Sequence, residues 1–138
     1  MRNKFLGTGE PGYRPLRKLA VIAAGLRYAV LHDFSVMYKV VLSAGVLLVA
    51  LWLRDWVDAA VILLATGLVV AAELFNTAIE ALCDFVETRH NEKIGIIKDI
   101  AAAATGMVIL AWWIVLALEA IRLWPRLMAA LQGMQHAS

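Results

Sequence analysis

Cysteine is nearly absent from this chain, and acid is scarce over its first third. The single cysteine, Cys83, excludes an intrachain disulfide and any cysteine-cluster metal site. Its neighbours Leu82 and Phe85 mark it as a buried thiol rather than a catalytic one. No secretory signal peptide is legible, because the apolar patch 19–24 is short, is bracketed by charge and lacks a convincing cleavage pattern. A phosphate-binding loop is missing too. Gly7-Thr8-Gly9-Glu10-Pro11-Gly12 spells G-x-G-x-x-G, but no strand precedes it and no Lys-Ser/Thr follows its last glycine. Acid before residue 50 is limited to Glu10 and Asp33, whereas seven of the thirteen basic residues (Arg2, Lys4, Arg14, Arg17, Lys18, Arg27 and Lys39) lie there.

What the chain has in excess is apolar surface. Hydrophobic residues make up 62% of its 138 positions, against roughly 45–50% in soluble domains. So short a chain cannot hide that much in a private core, so the expectation is an all-α membrane protein. Residues 1–13, with three glycines and a proline, read as a flexible arm. One domain is expected over residues 14–118, followed by a tail, 119–138, that forms at most a short interfacial helix.

Within the domain, residues 16–32 mix apolar positions at helical spacing (Leu19, Ile22, Ala23, Leu26, Val30) with Arg17, Lys18 and Arg27. That is the pattern of an amphipathic helix on an anionic membrane surface. Three spans follow, at 36–53, 59–85 and 94–118, each near the roughly 20 apolar residues that cross a bilayer. Lys39, near the start of the first span, is expected to snorkel. Residues 54–58 make a polar turn and 86–93 a polar connector, and Trp112 and Trp113 suit an interface. The basic arm and the connector with Arg89, Lys93 and Lys98 place the N-terminus in the cytoplasm; Arg122 and Arg126 run against that orientation.

The second span carries the chemistry. Glu73, Asn76, Glu80 and Asp84 fall within an arc of roughly 80° on one helix face. A charge at mid-bilayer costs at least about 2.5–3.5 kcal/mol, so such groups usually serve a purpose. Interhelical glue explains one buried polar residue well and four on one face poorly. The deeper carboxylate, Glu73, could take a proton from a lipid hydroxyl, and Glu80 could hold magnesium, which prefers a carboxylate or two plus phosphate oxygens. Lys98 at the start of the third span could meet phosphate oxygens, with Asp99 orienting it. His90 and Asn91 could touch a nucleotide, and Asp33 adds a carboxylate at the same depth. Together these groups make a phosphoryl-transfer site at a membrane surface.

Glu73-x-x-Asn76-Thr77-Ala78-Ile79-Glu80-x-x-x-Asp84, followed by Lys98-Asp99-Ile100-Ala101, resembles the small prokaryotic integral-membrane diacylglycerol kinase family, which includes undecaprenol kinases. The likeness covers roughly residues 14–118. It implies a homotrimer of the bacterial inner membrane, with a surface helix and three spans per subunit. ATP and magnesium would be used to phosphorylate diacylglycerol or undecaprenol. By the same resemblance Glu73 is the catalytic base, Glu80 a metal-binding carboxylate, and Lys98 and Asp99 phosphate contacts. Arg89, His90 and Asn91 fall in the nucleotide-contacting connector. Gly25-Leu26-Arg27 matches the surface-helix motif, Arg14 matches a substrate-contacting arginine, and Asn76 belongs to the substrate-binding stripe. Asp33 stands where the family places a second metal-binding glutamate, one methylene shorter. Residues 101–104 lean towards the undecaprenol branch. The alternative from another class is a small proton-coupled transporter with Glu73 and Glu80 as its relay, which Lys98-Asp99 and the basic connector suit less well.

Overall fold

A computed structural model describes residues 15–135, with His32 described by its backbone alone. The arm expected over 1–13, and Arg14 after it, lie outside these residues. The described chain forms four helices: α1 (Pro15–His32), α2 (Phe34–Trp52), α3 (Trp56–Val86) and α4 (Glu92–Gln135). The last three are long and apolar enough to cross a membrane.

A single non-helical residue, Asp33, separates α1 from α2. Its extended backbone (φ −115°, ψ 107°) turns the chain, and its Oδ1 accepts the N–H of Ser35 at 2.8 Å. This satisfies one of the orphan donors at the start of α2, a contribution of about 0.5–2 kcal/mol. From Pro15 to Tyr28, α1 is exposed apart from half-buried Lys18, and it meets the bundle through buried Ala29 and Val30 in its last turn. Leu16, Leu19, Ile22 and Leu26 all stay exposed.

At the far end of α2, Leu53, Arg54 and Asp55 make the turn into α3. Arg54 takes a left-handed conformation (φ 58°), which costs a residue with a Cβ about 1–2 kcal/mol. α3 packs against both α2 and α4. The shared core is Val36, Ala50, Ile62, Val69, Val70, Trp112, Leu116 and Leu123.

Two expectations need correction. Trp112 is no interfacial anchor. It is 1% exposed, its indole N–H donates to Ser43 Oγ at 2.9 Å, and it meets Tyr38 edge-on at 6.4 Å. Trp113 is the exposed member of the pair. The helix that carries the third span does not stop near 118 either, since α4 runs unbroken from Glu92 through Pro125 to Gln135.

The continuation of α4 also accounts for Arg122 and Arg126. Arg122 Nη1 pairs with Asp58 Oδ1 at 3.1 Å, and Arg126 pairs with Asp55. These arginines therefore answer the acids of the α2–α3 turn, and their charge says little about which side of a membrane they face.

Candidate functional site

The acidic stripe lies at the other end of the bundle, where α1 joins α2 and α3 passes to α4. At 1.5 Å per residue α3 is about 46 Å long, and Glu73 lies about 26 Å from its start. Glu80 and Asp84 lie about two and three turns further along, towards α4. Burial follows that gradient: Glu73 is buried, Asn76 half-buried, and Glu80 and Asp84 exposed.

Glu73 has the most elaborate surroundings of the four. It is 6% exposed, and its Oε1 lies 2.6 Å from Lys39 Nζ and 2.8 Å from Ser35 Oγ. Lys39 does not snorkel. It is 1% exposed, gives further hydrogen bonds to Ser35 Oγ (2.6 Å) and Ser35 O (3.0 Å), and lies 4.5 Å from the Tyr38 ring centroid. A cation held in an apolar bundle needs a partner, and the deepest acid of the stripe supplies it. Sequence reasoning missed both Lys39 and Ser35. The available signal was their i, i+4 spacing on α2, which puts a hydroxyl and a cation on one face.

One turn below Glu73, Asn76 Nδ2 donates to Glu80 Oε1 at 2.7 Å. Asn76 Oδ1 is buried without a hydrogen-bond partner. An orphaned acceptor of this kind, beside a carboxylate, is suited to a donor or a cation arriving from outside the chain. Among the described residues no three acidic, histidine or cysteine side chains stand close enough to hold a metal ion unaided. The donors at hand, Asn76 Oδ1 and the Glu80 carboxylate, are oxygens of the kind magnesium takes together with phosphate oxygens.

Lys98 is held by Asp84, with Nζ 2.5 Å from Oδ1, and not by its neighbour Asp99, which is exposed. This joins the foot of α3 to the start of α4 across the connector. Both partners remain accessible to solvent, so the bond can open to admit a phosphate at little cost.

In the connector, Asn91 Oδ1 accepts the N–H groups of Lys93 (3.0 Å) and Ile94 (3.4 Å), so Asn91 starts α4 as its N-cap. The Arg89 N–H donates to Glu87 Oε1 at 3.0 Å. The side chains of Arg89 and His90 are exposed, as is Arg27 on α1. No hydrogen bond or ion pair joins Arg27, Arg89, His90 or Asp99 to the stripe among the described residues. Asp33 is tied to it indirectly, because Ser35, whose N–H Asp33 caps, gives its hydroxyl to Glu73.

A buried carboxylate fixed by a lysine and a serine therefore lies above an amide–carboxylate pair and a solvent-accessible lysine–aspartate pair. The family model described as prokaryotic diacylglycerol kinase matches residues 21–120, from within α1 to the middle of α4. Among curated proteins, none matches the chain.

Proposed function

Because the chain belongs to the prokaryotic diacylglycerol kinase family, whose members are lipid kinases, we propose that it transfers the γ-phosphoryl group of ATP to the hydroxyl of diacylglycerol or of undecaprenol. The observation that carries this reading is the graded stripe. Its deepest carboxylate is buried within the bundle, which suits an acceptor hydroxyl arriving from the membrane, and its shallower groups are open to solvent, which suits a soluble nucleotide. Glu73 takes the proton of the acceptor hydroxyl. Lys98, released from Asp84, meets the phosphate oxygens, and Asp99 with the exposed connector residues Arg89, His90 and Asn91 borders the nucleotide. Glu80, with Asn76 Oδ1 and Asp33, would hold magnesium, which when bound neutralises charge on the phosphates.

Arg14 and Arg27 would contact substrates from the surface helix, whose exposed leucines suit a lipid boundary. Placement in the bacterial inner membrane with a cytoplasmic N-terminus puts the stripe's open end towards cellular ATP. The apolar faces left exposed on α2, α3 and α4 suit lipid and the subunits of a homotrimer.

Purified protein given radiolabelled Mg-ATP, with diacylglycerol and undecaprenol in parallel micelles, should label one lipid or both. Absence of label in either lipid from folded protein would contradict the proposal.

Asp33 serves two roles in this account, and substitution separates them. Asparagine caps a helix as well as aspartate does, so Asp33→Asn should leave unfolding of the protein unchanged. The magnesium concentration for half-maximal rate should rise several-fold, since one anionic ligand is gone. An unchanged magnesium requirement would reduce Asp33 to its capping role.

A further inference from the structure

The mechanism above leaves two groups beside the base unused. We propose that Lys39 and Ser35 are positioning residues that pin one oxygen of the Glu73 carboxylate, Oε1, and so present the other, Oε2, to the lipid hydroxyl. This rests on the reading of Glu73 as the base and adds to it two residues that touch neither substrate.

The hydrogen-bond geometry argues for positioning over substrate contact. An ammonium group has three N–H donors, and Lys39 Nζ has three acceptors within reach: Glu73 Oε1 at 2.6 Å, Ser35 Oγ at 2.6 Å and Ser35 O at 3.0 Å. No donor is left for a phosphate, and at 1% exposure Lys39 offers none to solvent. The Ser35 hydroxyl spends its single proton on the same carboxylate oxygen, at 2.8 Å, while accepting from Lys39. Both bonds to Glu73 therefore converge on Oε1, and among the described residues none is made to Oε2. A carboxylate held at one oxygen by two donors cannot rotate freely about its last bond, which fixes the direction of the other oxygen's lone pairs. The Ser35 N–H is itself fixed by Asp33 Oδ1 at 2.8 Å, so the clamp is anchored to the corner between α1 and α2.

In the step served, the proton of the lipid hydroxyl passes to Glu73 Oε2 as the hydroxyl oxygen bonds to the γ-phosphorus. The bond from that phosphorus to the bridging oxygen breaks, and ADP leaves with the electron pair. Lys39 keeps all three protons throughout, so its effect lies in holding the base in reacting geometry.

The test compares full-length Lys39→Met, Lys39→Arg, Ser35→Ala and Glu73→Gln proteins in lipid micelles, with kcat normalised to the folded fraction. Lys39→Met should lower kcat by about 100-fold and Ser35→Ala by about tenfold, with KM for Mg-ATP within about twofold of the parent. Lys39→Arg, which keeps charge and donors, should recover to within about tenfold of the parent rate. Interhelical glue alone predicts a different pattern: fewer folded molecules, each turning over at the parent rate. That result, or a loss confined to KM, overturns the proposal. Should Lys39→Met fail to fold, Ser35→Ala decides, since it leaves the ion pair in place. Glu73→Gln separates the two readings. If it is inactive while Ser35→Ala and Lys39→Met are unimpaired, the base stands and the clamp falls. If Glu73→Gln is active, the base reading itself is wrong.

Discussion

Glu73→Gln should slow lipid phosphorylation by about 10²–10⁴-fold, the range that a positioned general base contributes. The change preserves side-chain shape, and the amide oxygen can still accept the Ser35 hydroxyl (2.8 Å in the parent). What disappears is the ability to take a proton. Lys39, 1% exposed, also loses its counter-charge, so some loss of stability should accompany the loss of rate. The two are separated by normalising to folded protein and by measuring KM for Mg-ATP, which should stay near the parent value because the groups proposed to meet the nucleotide lie further along the stripe. A folded Glu73→Gln protein with full turnover would remove Glu73 from the reaction.

Trp112→Ala should destabilise the fold by about 3–5 kcal/mol, the usual cost of emptying a large aromatic site. Trp112 is among the largest fully buried side chains of the bundle. It supports Tyr38, which in turn lies against Lys39, and its indole satisfies Ser43. Lipid tails are as apolar as a core, so transfer out of water supplies little of this stability. Close packing and the interhelical hydrogen bond supply most of it. Trp112→Phe fills most of the space and lacks only the donor, so it should cost about 1 kcal/mol. Reversible unfolding in mixed micelles measures both. A loss under about 1 kcal/mol for Trp112→Ala would mean that the bundle closes over the gap or that the indole is not packed as described.

The sequence made the long apolar helices and most of their ends legible, because a bilayer imposes a length and a hydropathy on each span; the far end of α4, at Gln135, was not, since a span's length says nothing of how far its helix runs on. The spans expected at 36–53 and 59–85 differ from α2 and α3 by at most three residues at each end. The acidic stripe was legible for a related reason: 3.6 residues per turn places Glu73, Asn76 and Glu80 on one face whatever surrounds them. Partnership between helices was much less legible. Hydropathy does not distinguish a tryptophan at the headgroups from one buried against Ser43, nor a lysine reaching for water from one reaching for Glu73. Asp84, not Asp99, holds Lys98 because the two helices meet across the connector, and adjacency along the chain carries no information about that.

The match to the family ends at residue 120, yet the helix beyond it holds Arg122 and Arg126, the counterions of Asp58 and Asp55. Asp58 is 2% exposed. A fragment ended at residue 120 would keep every group assigned to the reaction and still leave an unneutralised anion inside the hairpin of α2 and α3. The smallest portable version of this kinase is therefore set by electrostatics at the end remote from the chemistry, and it extends at least through Arg126.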